Sequence, residues 1–157
     1  MTTIDADKRI AKDRLYQLQP VFRRSLRALD QAAADAGLEP ALLELVKQRA
    51  SQMNGCAFCL HMHGADARRA GERPERLDVL ATWRETHCFT SREQAALLWT
   101  EALTAIAEDH VPDAAYAEVR RAFSEAELAA LTAAVIAING WNRIAIAFRF
   151  VPPIAAP

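Results

Sequence analysis

The sequence predicts an all-α fold, on three observations. Ala and Leu dominate between widely spaced Gly and Pro residues, Val, Ile and Thr never form the alternating run of a half-buried strand, and two capping signatures precede apolar stretches. Pro20 is placed to open a helix carrying Phe22, Leu26 and Leu29, which ends near Gly37 because glycine readily takes the left-handed C-terminal cap. Pro40 sits where a first helical turn tolerates proline. Leu42, Leu43, Val46, Ala50 and Met53 follow at helical spacing until Asn54-Gly55 breaks the run. A third helix is expected over 56–70, stopping at Gly71, and Pro74 opens a short one with Leu77, Leu80 and Trp83. Thr90 with Glu93 fits a capping box for a helix to about Glu108. Ser124 with Glu127 fits another, flanked by Phe123 and Leu128 as a hydrophobic staple. Leu128, Leu131, Val135, Ile138, Ala145 and Phe148 then keep one helical period, so the last helix is expected to pass through Gly140 at about 1 kcal/mol relative to Ala.

Size and charge bound what such a bundle does. The 157 residues suit one domain over 1–157, with about 1–19 as an N-terminal extension and 152–157 as a loose tail. A chain of this length buries about 70% of its unfolded surface, so it needs no metal or disulfide scaffold to fold. The 19 Lys and Arg balance 20 Asp and Glu, which leaves no electrostatic footprint for nucleic acid or an anionic membrane surface. The start, MTTIDADKRI, has no apolar core of the kind a secretory signal needs, and the longest nearly apolar stretch, 128–138, is well short of the about 20 residues of a bilayer span. A cytoplasmic, non-membrane protein is expected. In that compartment two of three cysteines in a CxxC point to redox chemistry or metal binding rather than a structural framework.

The chemistry concentrates in NGCAFCLHMHGADARRAG, residues 54–71. With a helix starting near Cys56, about 100° per residue puts Cys59 and His63 on one stripe with it and turns His61 away. Cysteines at i and i+3 of a helical turn are close enough to form a disulfide without unfolding. The helix N-terminus lowers a thiol's pKa and favours Cys56 as the thiolate, whereas Cys59, one turn before His63, is better placed for proton transfer. Both assignments stand on spacing alone. Glu44, twelve residues before Cys56, reaches the motif if the two helices form a hairpin; Lys47, Gln48 and Ser51 share its face and would otherwise make it a solvated side chain. Two non-enzymatic readings compete. The pair can be two small core residues, or Cys56, Cys59 and His63 can bind zinc with Glu44 or His61 as fourth ligand, although no second CxxC or C-terminal His pair supports that.

Glu44, Cys56, Cys59 and His63, inside LLELVKQRASQMNGCAFCLHMHGADARRAGE, resemble residue by residue the motif of the AhpD-like alkylhydroperoxidases of the carboxymuconolactone decarboxylase superfamily, and INGWNRIAIAF at 138–148 is similar to their closing helix. The resemblance covers about residues 20–150. It implies an AhpD-like helical bundle with the CxxC at the N-terminus of a central helix, and cofactor-independent, thiol-dependent reduction of hydroperoxides. Cys59 is implied as the peroxidatic and Cys56 as the resolving cysteine, with His63 and Glu44 as proton relay. An external dithiol, on a lipoyl or thioredoxin-like protein, would reduce the resulting disulfide. The alternatives are a redox-sensing or zinc-binding module, or a decarboxylase-like activity; superfamily members that decarboxylate the muconolactone lack the paired cysteines, which argues against the last.

Other polar residues read more simply. Cys88 has no second cysteine nearby, His110 precedes Val111-Pro112 in a loop, and Arg23, Arg24 and Arg27 form a solvated helix face. Trp83, Trp99 and Trp141 are expected as core or interface anchors. Asn139, Asn142 and Arg143 interrupt an apolar helix and need partners across helices, at a subunit contact or near the active site. Apolar residues make up 52% of the chain and cover more than one stripe of the last helix, so a symmetric homo-oligomer is expected, with the 124–148 helix or its neighbours at the contact and the CxxC helix close to a subunit boundary; the resemblance implies the same, anywhere from dimer to hexamer.

Overall fold

The computed structural model describes residues 9–155. It is all-helical among them, with α1 (Lys12–Leu18), α2 (Val21–Asp35), α3 (Pro40–Asn54), α4 (Ala57–Arg69), α5 (Pro74–Asp78), α6 (Ser91–Thr104), α7 (Ile106–Asp109), α8 (Asp113–Ala122) and α9 (Glu125–Ala147). A 3₁₀ segment, Leu80–Glu85, follows α5. The 23-residue α9 is the axis. It packs against α2, α3 and α6, and α3 packs in turn against α4 and α6. Long and apolar enough to cross a membrane by composition, α9 is more than half buried and serves here as the core helix. Leu131, Val135 and Leu128 join Leu42, Val46 and Trp99 in the main core, and Ile138 meets Ala50 and the two cysteines in a smaller one.

The local rules place most elements. Both capping boxes are reciprocal: Thr90 and Ser124 accept from the backbone N–H of Glu93 and Glu127, whose carboxylates accept from the cap residues' own N–H groups. Phe123 and Leu128 are both buried, as the staple requires. At Gly55, the residue after α3, φ is +68°, a left-handed turn that favours glycine and swings the chain directly into α4. That turn makes a helical hairpin of α3 and α4.

Four expectations need correction. The helix capped by Thr90 stops at Thr104 rather than near Glu108. Ala105 leaves helical geometry, and after the one-turn α7 His110 and Val111 take positive φ before Pro112, a residue whose ring disfavours a helical predecessor. A whole helix, α8, follows over residues for which no element was expected. Its signals were Asp113 in the first turn behind Pro112, Arg120 and Arg121 in the last, and an inward pair, Ala115 and Val119. The short helix opened by Pro74 breaks after Asp78 and continues as 3₁₀. Finally, the stretch read as an N-terminal extension contains α1, anchored by buried Leu15. Residues 1–8 of that extension and 156–157 of the tail lie outside the described residues; 151–155 have no regular structure.

Candidate active site

Cys56 is the N-cap of α4. Its Sγ accepts the backbone N–H of Cys59 at 3.4 Å, taking one of the donors a helix start leaves free. Both cysteines are unbonded thiols, 1% and 2% exposed. One turn on, buried His63 faces α3 across the hairpin, and its Nδ1 lies 2.9 Å from Glu44 Oε2. The other Glu44 oxygen accepts from Lys47 Nζ at 2.8 Å. Burial works to raise the Glu44 pKa, but the hydrogen bond with His63 and the charge and hydrogen bond of Lys47 hold it below the ordinary carboxylate value. An ionised Glu44 only accepts, so Nδ1 carries the proton of that contact and Nε2 is the ring nitrogen turned away from Glu44.

The two sulfurs are inequivalent. The Cys59 thiol hydrogen-bonds to Cys56 and is the largest influence holding the Cys56 pKa down to about 7; burial opposes it, while the Cys59 N–H, the Asn142 amide and the charge of His63 assist. The same hydrogen bond, together with burial and the neighbouring Cys56 charge, pushes the Cys59 thiol up. The pair therefore loses its first proton chiefly from Cys56. The thiolate absorbance of the reduced protein is expected to appear with a midpoint near pH 7 and to shift upward in Cys56→Ser. A midpoint near that of an ordinary thiol, about 8.5, would contradict this arrangement.

Acidity and access thus fall to different residues. Cys59, with His63, lines a cavity of about 320 Å³ whose walls include Tyr16, Phe58, Trp141 and Phe150. Cys56 lies beneath it, packed against Ala50 and Ile138. Asn142, fully buried on α9, holds this floor to α3: it donates to Ser51 Oγ at 3.0 Å and accepts from Asn54 Nδ2 at 2.9 Å. Asn139 also accepts from Asn54 and donates to Thr104, and its side-chain oxygen accepts from Arg143.

The structure brings Glu44, Cys56, Cys59 and His63 together in one hairpin. Gln48 and Ser51, the polar neighbours that would have left Glu44 solvated without a hairpin, are buried at 8% and 0%, because α3 is covered on that side by α4 and α9. His61 is exposed on the opposite face of α4. Among the described residues the zinc set of two cysteines, His63 and a fourth ligand does not gather as one group; the groups within 4.8 Å of one another are Glu44, His63 and Asp66, whose carboxylates already meet Lys47 and Arg69. Cys88 is half-buried beside Thr86 and packs against a separate apolar cluster that includes Leu77, Leu80, Trp83 and Phe89. Sequence reasoning missed Tyr16 and Phe150, which come from opposite ends of the chain, and it read Trp141, Arg23 and Arg27 as anchor and solvent face although all three line the cavity. The polar break in the apolar helix did mark Asn142.

Comparison with known proteins places this architecture. The Carboxymuconolactone decarboxylase family (CMD) matches residues 20–102, a span containing all four motif residues. Bacillus subtilis YdfG, an uncharacterized protein, is 37% identical over 132 residues, 84% of this chain and 90% of its own. The crystal structure of an Agrobacterium tumefaciens protein of unknown function, proposed to be the antioxidant defence protein AhpD, superposes with a TM-score of 0.86 at 37% identity, covering 94% of this chain and all of that one. The debrominase Bmp8 shares the fold alone, with a TM-score of 0.72 at 17% identity over 92% of this chain and 90% of its own. The chain belongs to the carboxymuconolactone decarboxylase family, as an AhpD-like member.

Proposed function

We propose that this protein is a thiol-dependent peroxidase that cycles its CxxC between dithiol and disulfide. The observation that carries the reading is the placement of Cys59 and His63 on one cavity, with Glu44 bound behind His63 and an acidic Cys56 below. Cys59 gives its proton to His63 Nε2 and attacks the distal oxygen of a hydroperoxide. The O–O bond breaks, sulfur is oxidised by two electrons to a sulfenic acid, and the leaving alkoxide takes the proton back from His63 as an alcohol. Glu44 steadies the imidazolium between the two transfers. The Cys56 thiolate then displaces hydroxide from the Cys59 sulfenic acid, forming the disulfide, and protonation of the hydroxide gives water. An external dithiol returns both thiols to the reduced state.

The low Cys56 pKa fits this division of labour. A resolving thiolate is needed as soon as the sulfenic acid forms, and burial beneath Cys59 shields it from peroxide meanwhile. The cycle depends on a reducing dithiol pool, which places it in the cytoplasm. The test is steady consumption of cumene hydroperoxide and hydrogen peroxide by purified protein with dihydrolipoamide or a thioredoxin system. Sustained turnover supports the reading; a single oxidation that never turns over with any dithiol, or no oxidation, sinks it in favour of a redox sensor or another family activity.

The proposal extends to assembly. Ile136 and Ile146 stand 53% and 44% exposed on α9, and Val21 and Phe22 are exposed on α2, the helix packed beside it. A second copy of this chain covers these faces in a symmetric oligomer. Light scattering on the full chain is expected to give a multiple of 17.4 kDa; a monomer mass persisting at high concentration would refute it.

A further inference from the structure

The cavity over Cys59 is larger than a peroxide group needs. Its roughly 320 Å³ is about ten times the space one water occupies in the liquid, so it has room for an organic body. Its walls are rings packed edge to face: Phe150 meets Phe58 at 5.6 Å and Tyr16 at 6.2 Å between centroids, and Tyr16 meets Trp141 at 6.5 Å. Such walls take a flat or bulky apolar group.

The rim is cationic. Lys12, Arg23 and Arg27 line the opening, and the two arginines are one helical turn apart on the same face of α2. Elsewhere Arg49, Arg76, Arg84 and Arg92 are engaged by carboxylates. Among the described residues Arg23, Arg27 and Lys12 have no such partner; Arg23 lies 5.7 Å from the Tyr16 ring centre and Lys12 5.5 Å from that of Phe58. Two carboxylates share the lining and leave it net positive. Asp13 is exposed, and Asp30 commits one oxygen to Trp141 Nε1 at 3.0 Å, its other being buried without a partner.

We infer that the cavity selects organic molecules with an aromatic or similarly bulky apolar body and a carboxylate, the body held by the rings and the carboxylate by Arg23 and Arg27. On the peroxidase reading, on which the reactive half of this inference rests, the preferred substrate is a hydroperoxide of that kind, bound with its peroxide group at Cys59. A bidentate guanidinium suits a carboxylate better than an ammonium does, so the arginines set the selectivity and Lys12 adds charge.

Two measurements on the full chain separate this inference from the peroxidase reading. Calorimetric titration with unreactive 4-isopropylbenzoate and with the neutral 4-isopropylbenzamide is expected to show the carboxylate binding about tenfold more tightly, a gap that narrows in high salt. The Arg23→Met/Arg27→Met double variant is expected to lose the gap, and Arg24→Met, which removes a charge from the same helix but not from the rim, to keep it. In parallel, kcat/KM for 4-carboxycumene hydroperoxide is expected to exceed that for cumene hydroperoxide by a similar factor. Tighter binding of the carboxylate without consumption of either hydroperoxide would remove the peroxidase reading and leave the cavity's preference standing. Consumption of both at equal efficiency, or no difference between benzoate and benzamide in the wild type, overturns the inference, and neither outcome depends on a variant folding.

Discussion

Cys59→Ser is expected to abolish peroxide reduction, lowering the rate by at least about a thousandfold, whereas Cys56→Ser is expected to react once and stop with a sulfenic acid on Cys59. The asymmetry follows from position. Of the two sulfurs Cys59 lines the cavity, and Cys56 is buried outside its lining. Serine keeps the volume and a weak hydrogen-bonding group, so either variant should fold. A dimedone-type probe read by intact mass and peptide mapping distinguishes the outcomes. Labelling of Cys56 in the Cys59→Ser protein would reverse the roles and mean that acidity outweighs access at this site.

The second large effect is expected at the Glu44–His63 pair. His63→Ala removes the acceptor for the Cys59 proton, and peroxide reduction should fall by about 10² to 10⁴. Glu44→Gln keeps the side chain's shape but withdraws the anion that orients the ring and stabilises its protonated form, so a smaller loss, about tenfold to a hundredfold, is expected. The pH-rate profile separates a relay from a packing role. Loss of His63 should remove one ionisation and also raise the Cys56 midpoint, because the charge of His63 helps to hold that thiol low. A profile identical to wild type, with only a lowered melting temperature, would demote both residues to packing.

Much of this was legible in the chain because it is local. Pro40, Gly55 and Gly71 punctuate α3 and α4 by backbone rules that need no tertiary knowledge, and the 3.6-residue period alone puts Cys56, Cys59 and His63 on one side and His61 on the other. Glu44 required one further assumption, that the turn at Gly55 folds the helices back on each other, and the structure shows that hairpin. The features that escaped are long-range or weakly punctuated. Nothing near Tyr16 or Phe150 announces that they meet, and Arg23 and Arg27 look like any exposed basic face until α1 and the end of α9 are in place around them. Gln48 and Ser51 illustrate the converse, since polar residues at helical spacing imply solvent only if no second helix lies above them. The break at Ala105 has no marker in sequence as clear as the proline and glycine signals elsewhere; the tie between Thr104 and Asn139 of α9 is a tertiary one.

The reactive hairpin and its shelter also differ in when they come into being. Glu44 to His63 is a span of twenty residues closed by a single turn, and contacts that local form early in folding. The roof is remote: Trp141 reaches back 111 residues to Asp30, and Phe150 lies 92 positions after Phe58. At about 5 to 20 residues per second of synthesis, roughly 4 to 17 seconds separate the making of His63 from that of Phe150. During that interval the growing chain carries a paired dithiol whose wall lacks Trp141 and Phe150. Oxidation or metal capture at this stage would meet a half-built site, so the integrity of the newborn protein rests on the redox state around the ribosome before it rests on its own cavity.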